Sequence, residues 1–254
     1  MYNQGEYLEE TINSVLNQSY PNIEYFVVDG DSKDNSISII EKYRHRLHGA
    51  IIEKDNGQSD AINKGFKLAT GELIGWINSD DILYSDCIKN IVDLYLQHPE
   101  ASIIYGKKID YINSNSKKIN SKTFSIPNKA HLVHKDSSVV QPGSFYNSKY
   151  LKPNNLLNEK LHYCMDLDLW LRLLNHGPIV SHPGPLSAFR SYSTNKTATG
   201  NTKYSKERRS ILYKNGATIL SKPVWYSYMR DFRKSIGLNF GLKIKFRNWD
   251  PDLS

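Results

Sequence analysis

Apolar stretches and polar breaks alternate at nearly regular spacing through the first hundred residues. EYLEETINSVLN, residues 6–17, sets Leu8, Ile12, Val15 and Leu16 on one helical stripe, and Pro21 closes the turn beyond it. IEYFVVDG, residues 23–30, is a short β-rich run, followed by the polar loop DSKDNS and by SIIEKY at helical period. A second strand is predicted over 50–53, a helix over 59–68 that stops at Thr70-Gly71, a third strand over 73–77 and a helix over 87–96. Strands alternating with helices across short polar links predict an α/β fold with a mainly parallel sheet covered on both faces. Ligands of such sheets sit at the carboxyl ends of the strands.

Beyond a predicted strand at ASIIYG, residues 101–106, the pattern weakens. Residues 110–137 are rich in Asn, Ser and Lys and read as a hairpin or loop. SVVQPGSFY, residues 138–146, resumes β character. MDLDLWLRLLNHG, residues 165–177, predicts a helix with Leu167, Trp170, Leu171 and Leu174 on one face and Gly177 as its stop. From Ser205 the tail carries helical segments rich in Tyr, Trp, Phe and Arg.

Composition narrows the class. The 254 residues are 39% hydrophobic and 23% charged, as expected of a globular chain with one large core or a core plus an appendage. No run of about 18 apolar residues offers a membrane span, and the start lacks the pattern of a secretory signal. The expected compartment is the cytoplasm. Cys87 and Cys164 lie far apart without CxxC spacing and are expected to be buried free thiols. The net charge of +7 is uneven: from Asn201 onward 12 Lys and Arg face 4 Asp and Glu, which leaves residues 1–200 near neutral. The basic tail suits an anionic membrane surface or helices packed on the body by their aromatics. No nucleic-acid module accompanies the charge.

The chemistry concentrates in acids at strand ends. In LIGWINSDDIL, Asp80 and Asp81 follow an apolar strand; paired carboxylates there either cap and face water or supply oxygens to a hard divalent cation. Neither GxxxxGK[ST] nor GxGxxG is present, so a bound diphosphate would need a metal or basic side chains. Asp29 and Asp31 end the neighbouring strand, where a carboxylate can accept hydrogen bonds from ribose or base. One of Asp31, Ser32 and Asp34 is expected to cap the next helix, and Asp29 is the acid that capping explains least. Asp60 and Lys64 sit near the start of a helix, where Asp60 also complements the helix dipole.

YNQGEYLEETINSVLNQSYPNIEYFVVDGDSKDNS, then DNGQSDAINKGFKLATGELIGWINSDD, then MDLDLWLRL, in this order and spacing, resemble a family 2 inverting glycosyltransferase of the GT-A fold over about residues 2–192. The resemblance implies a transferase of the hexosyl or N-acetylhexosaminyl class. It implies a nucleoside diphosphate sugar donor, usually UDP-linked, with Mg2+ or Mn2+ on a DXD-like motif, here Asn78-Ser79-Asp80-Asp81. It implies a saccharide or lipid-linked saccharide acceptor, with surface polysaccharide assembly as the setting.

By the same resemblance Tyr2, Asn3, Asp29 and Asp31 would contact the base and uridine, and Asp60 and Lys64 would line the nucleotide and sugar. Asp80 would lie near the donor sugar, Asp81 would be the direct metal ligand, and Asp166 would deprotonate the acceptor hydroxyl. Asp168, two residues on, points about 200° around the helix and cannot share that cleft squarely. The implied division is a GT-A domain over 1–200, with a nucleotide-sugar half at 1–106 and an acceptor half at 107–200, followed by a basic extension at 201–254.

Two departures qualify the match. Relatives begin with an apolar strand that would be central in the sheet, whereas this sequence starts at Met1-Tyr2-Asn3, so neighbouring strands are expected to lack a partner and donor affinity to be poor. Where many relatives carry a metal-binding histidine two residues after Arg190, this chain has Tyr192. Arg190 and Lys196 are expected to supply positive charge to the phosphates. The rival readings are a nucleotidyltransferase of similar fold, against which the absence of a glycine-rich basic loop argues, and a non-catalytic binding remnant.

Overall fold

The computed structural model describes residues 1–151, 156–192 and 201–235. Helix α1 (Gly5–Leu16), strand β1 (Phe26–Asp29), helix α2 (Ser36–Tyr43), strand β2 (Gly49–Ile52) and helix α3 (Gln58–Leu68) follow the predicted order. β1 and β2 pair in parallel, Phe26 opposite Gly49 through Asp29 opposite Ile52. Leu8 and Ile12 of α1 close with Val27, Ile39 and Ile40 into a compact apolar cluster. Each such side chain contributes about 1.5–3 kcal/mol by leaving water.

The second sheet is mixed. Its path runs β3 (Leu73–Gly75), β7 (Phe145–Asn147), β5 (Ile103–Ile112), β8 (Ile179–Arg190) and β4 (Ile82–Leu83), with β6 (Lys118–Thr123) also on β5. β5 and β8 run parallel, while the β3–β7, β5–β7, β5–β6 and β4–β8 pairs are antiparallel. The expected mainly parallel sheet is thus replaced by a parallel core of two long strands flanked by short antiparallel ones. The polar stretch at 110–137 resolves into the β5–β6 hairpin and the short helix α5 (Lys129–His134).

Among the described residues, β1 has a strand neighbour only on its β2 side and β3 only on its β7 side. Val27 and Val28 of one and Leu73, Ile74 and Gly75 of the other line a shared cavity of about 1510 Å³. Met1 touches the free side of β1: its amino group donates to the Val28 carbonyl at 2.8 Å, and Gly30 N–H donates to the Met1 carbonyl at 2.7 Å. Those two bonds form a single step of a parallel ladder around Asp29.

Helix α4 (Cys87–Gln97) covers the β4–β5 side through Cys87, Ile88 and Ile91. Short α6 (Ser148–Leu151) leads away from β7. Helix α7 (Met165–Leu173) lies in the largest core, where Trp170 is fully buried. An aromatic chain fixes it to the sheet: Trp76 stacks on Tyr146 at 5.5 Å, the Trp170 indole N–H donates to the Tyr146 hydroxyl at 3.1 Å, and Tyr105 meets Trp170 edge-on at 5.3 Å. Helices α8 (Asn201–Lys214) and α9 (Lys222–Ser235) join the same core through Ile211, Leu212, Ala217 and Val224. The part of the basic extension at 201–235 is therefore packed on the body; residues 236–254 lie outside the described residues. Both cysteines are free and buried, as expected. Among the described residues no helix is long and apolar enough to cross a membrane.

Candidate active site

The acid pair sits in the turn between β3 and β4. Asp80 lines the large cavity, while Asp81 is fully buried behind it. Asp81 Oδ1 accepts the Arg190 backbone N–H at 3.0 Å, and its Oδ2 accepts from Asn78 Nδ2 at 3.1 Å. Burial, and then the charge of Asp80, push the Asp81 carboxyl well above the usual carboxylate range. Asp80 is also raised, chiefly by burial, and its Oδ2 accepts the Tyr192 hydroxyl at 2.9 Å. Of the two expected metal residues, Asp80 presents itself to the cavity, whereas both Asp81 oxygens are bonded inward.

Neighbouring side chains hold the turn. The Thr11 hydroxyl of α1 lies 2.9 Å from the Ser79 carbonyl and 2.8 Å from that of Asp81. Asn78 forms a hub, accepting from Gln58 Nε2 at 3.0 Å and donating to Gln141 Oε1 at 2.9 Å, while Gln141 Nε2 donates to the Trp76 carbonyl at 2.7 Å. Gln58, Asn78 and Gln141 all line the cavity. Among the described residues no group of three or more His, Cys, Asp or Glu converges as a metal cage. A hard cation that takes one protein carboxylate and fills its shell with water and phosphate oxygens fits Asp80; an all-protein cage does not.

Arg190 requires a correction. Expected at the donor phosphates, it is fully buried at the end of β8. Its guanidinium donates to the Asp80 carbonyl (2.8 Å), Glu10 Oε2 (2.6 Å), the carbonyls of Asn113 and Ser114 (3.1 and 3.2 Å) and Ser116 Oγ (3.0 Å), and it stacks on Tyr7 at 4.4 Å. Arg190 therefore clamps α1, the acid turn and the β5–β6 turn together. Lys196 lies outside the described residues.

Around the carboxyl end of β1 the acids divide differently from expectation. Asp29, the acid that capping explains least in the sequence, receives the Ser32 N–H on Oδ1 (2.7 Å) and the Ser32 hydroxyl on Oδ2 (2.6 Å), fully buried. It organises its own turn. The N-cap of α2 is Asn35, whose side chain makes no cap bond; Asp34, just before it, accepts Ser36 N–H at 3.0 Å and Gly5 N–H at 2.9 Å. Asp31 adopts positive φ and pairs with Lys33 at 2.7 Å. Asn3 links two loops, its N–H on Ser32 Oγ and its Oδ1 accepting Lys33 N–H, both at 2.8 Å. Lys64 joins Glu53 (2.7 Å) and Asp60 (3.4 Å), a cluster beside the cavity rather than on its lining, whereas Tyr2, Asp55, Gly57 and Gln58 do line it. Gly57, at φ +116°, turns the chain into α3 in a conformation side chains rarely adopt.

The same cavity reaches Asp166 in the first turn of α7. Asp168 turns away and pairs with Arg172 at 2.9 Å, as the helical offset predicts. The approach to α7 is held by a residue that sequence reasoning missed. The Glu207 carboxylate of α8 accepts the N–H groups of His162 (2.9 Å), Tyr163 (2.7 Å) and Cys164 (2.7 Å). Nothing local marks Glu207 in the sequence, because its partners lie more than 40 residues away. Gln141 did carry a signal, a polar residue directly before Pro142-Gly143 in an otherwise apolar run.

A split α/β scaffold with an acid turn and a helix-borne carboxylate on one cavity defines a GT-A-type nucleotide-sugar transferase fold. Solved structures agree. A 1–349 fragment of S. aureus TarS in complex with UDP-GlcNAc superposes with TM-score 0.69 at 20% identity, over 97% of this chain and 75% of that one. The Pyrobaculum calidifontis mannosyltransferase PcManGT, in complex with GDP-Man and Mn2+, gives 0.64 at 15% identity over 90% of this chain and 66% of that one.

The sequence profile of Glycosyl transferase family 2 matches residues 1–166, and the chain belongs to that family. An uncharacterized glycosyltransferase of Rickettsia conorii is 32% identical over 197 residues, 70% of this chain and 31% of the relative. The putative teichuronic acid biosynthesis glycosyltransferase TuaG of Bacillus subtilis is 31% identical over 99 residues, 38% of this chain and 39% of that protein. The chain thus spans about a third of the length of the curated relatives it matches first.

Proposed function

We propose that this chain is the core of a metal-dependent inverting glycosyltransferase that moves a hexosyl or N-acetylhexosaminyl group from a UDP-linked sugar to a saccharide hydroxyl in surface polysaccharide assembly. The observation that carries the reading is that Asp80 and Asp166, from distant parts of the chain, line one cavity. TarS with UDP-GlcNAc and TuaG, named for teichuronic acid biosynthesis, support the donor and the setting.

In this reading the donor diphosphate lies at the acid turn and the acceptor approaches from the α7 side. Asp166 accepts the proton of the acceptor hydroxyl as its oxygen attacks the anomeric carbon on the face opposite the leaving diphosphate, so configuration inverts. Tyr192 orients Asp80 through its hydrogen bond, and Gln58, Asn78 and Gln141 offer amides to the polar donor. If Mg2+ or Mn2+ binds, Asp80 would hold it, and it would supply charge neutralisation for the leaving group.

Asp166→Asn should cut transfer by about 10²- to 10⁴-fold, the usual worth of a general base, while leaving UDP-sugar binding intact. A panel of UDP-, GDP- and dTDP-sugars with Mn2+, read by released nucleotide and by calorimetry, checks this. Pyrophosphate release would instead indicate a nucleotidyltransferase, and binding without turnover a non-catalytic role.

A further inference from the structure

Helix α9 is turned the unusual way round. Its inward side is largely polar: the Arg209 guanidinium of α8 donates to Ser227 Oγ and to Asp231 Oδ2, both at 2.7 Å, with Pro223 and Val224 as the buried apolar residues. Its outward side is aromatic. At about 100° per residue, Lys222, Trp225, Tyr226, Phe232 and Arg233 fall within an arc of roughly 120°. Trp225 is 47% exposed and Phe232 58%. The turn before the helix adds Ile219 at 53% and Leu220 at 87%.

A solvent-facing side richer in aromatics than the buried side requires a reason, because scattered single apolar residues are ordinary but a contiguous patch is not. The charge pattern identifies the occupant. No acid falls in the arc, since the helix's one carboxylate, Asp231, is committed inward to Arg209. The cations in the arc are Lys222 and Arg233. Trp and Tyr rings flanked by Lys and Arg, beside exposed aliphatic side chains, match the headgroup boundary of a bilayer carrying negative lipids.

We propose that the outward face of α9, with Ile219 and Leu220, docks the protein on an anionic membrane surface. The docking needs no turnover, and only its use rests on the transferase reading. α8, which packs against α9, holds the approach to Asp166 through Glu207.

The test uses the full chain and sedimentation with vesicles of neutral phosphatidylcholine, with or without about one third phosphatidylglycerol. Binding is expected only with the anionic lipid and should weaken as salt rises. Lys222→Glu with Arg233→Glu should lower the partition coefficient at least tenfold, and Leu220→Ser with Trp225→Ser should do the same. Circular dichroism of these surface variants checks that each stays folded, and residues 236–254 are unchanged in all of them. Equal binding to neutral vesicles, binding unaffected by either pair, or a dimer that the Leu220/Trp225 pair converts to monomer would overturn the proposal. Sugar transfer is measured separately, so loss of docking with intact transfer, and the reverse, are distinguishable.

Discussion

Asp80 and Asp81 sit in the turn after β3, which the Asp81 N–H closes on the Asn78 carbonyl at 3.2 Å, and the turn sends their side chains different ways. One carboxylate meets the cavity and the other the protein interior, and their mutual repulsion is countered by the Arg190 N–H, Asn78 and Tyr192. The adjacency was legible in the sequence, but which acid faces outward was not, because that depends on how the β3–β4 turn seats against α1 and β8. Asp29 shows the same limit, its binding of Ser32 being a three-residue turn that acids at strand ends do not announce.

The raised carboxyls have a pH consequence. From about pH 3.9, the ordinary aspartate value, up through their raised values, the folded protein keeps protons that the unfolded chain has released. By linkage, these groups make stability fall as pH climbs through that window. Asp80→Asn removes the Coulombic part of the Asp81 shift, so its thermal midpoint should gain on wild type as pH rises from about 4 towards neutrality. Parallel midpoint curves for the two proteins would contradict the assigned coupling.

Among the elements, β1, β2 and helices α1 to α4 were readable because their apolar spacing is regular. β8 was not. IVSHPGPLSAFR contains Pro183, Gly184 and Pro185, residues that argue against an interior strand. The structure tolerates them where the pairing with β5 shifts register between Gly106 and Asp110, and where β4 reaches only Ser187 and Ala188 on the other side. α7 was legible, but its anchorage on α8 was not. Glu207→Ala should strip three N–H groups of their acceptor and loosen the approach to Asp166, lowering transfer kcat about tenfold or more with donor affinity unchanged. Glu207→Gln, which keeps an acceptor oxygen, should recover part of the rate. A loss confined to donor KM would show that Glu207 acts elsewhere.

At the scale of the molecule, β1 and β3 line one cavity, a gap across which, among the described residues, neither has a strand partner besides β2 and β7 respectively. Met1 already makes one parallel step on β1, which defines the direction in which a further strand would run: antecedent residues would pass Val28 and Val27 toward Phe26. A strand of about five residues spans roughly 17 Å, enough to bridge β1 and β3 along their length. Fusing five Val and Ile residues ahead of Met1 should therefore fill the gap and join the sheets. Burial of each side chain, about 1.5–3 kcal/mol, competes with a backbone ordering cost of about 1–2 kcal/mol per residue, so the net gain is a few kcal/mol. In a chain of this size each kcal/mol raises the midpoint by about 2–4 °C. A Gly-Ser extension of equal length is the control, and amide exchange should slow in β1 and β3 only with the apolar one. Because the gap is continuous with the cavity that Asp80 lines, the same extension should tighten UDP binding; a stabilised chain with unchanged UDP affinity would separate the gap from the donor site.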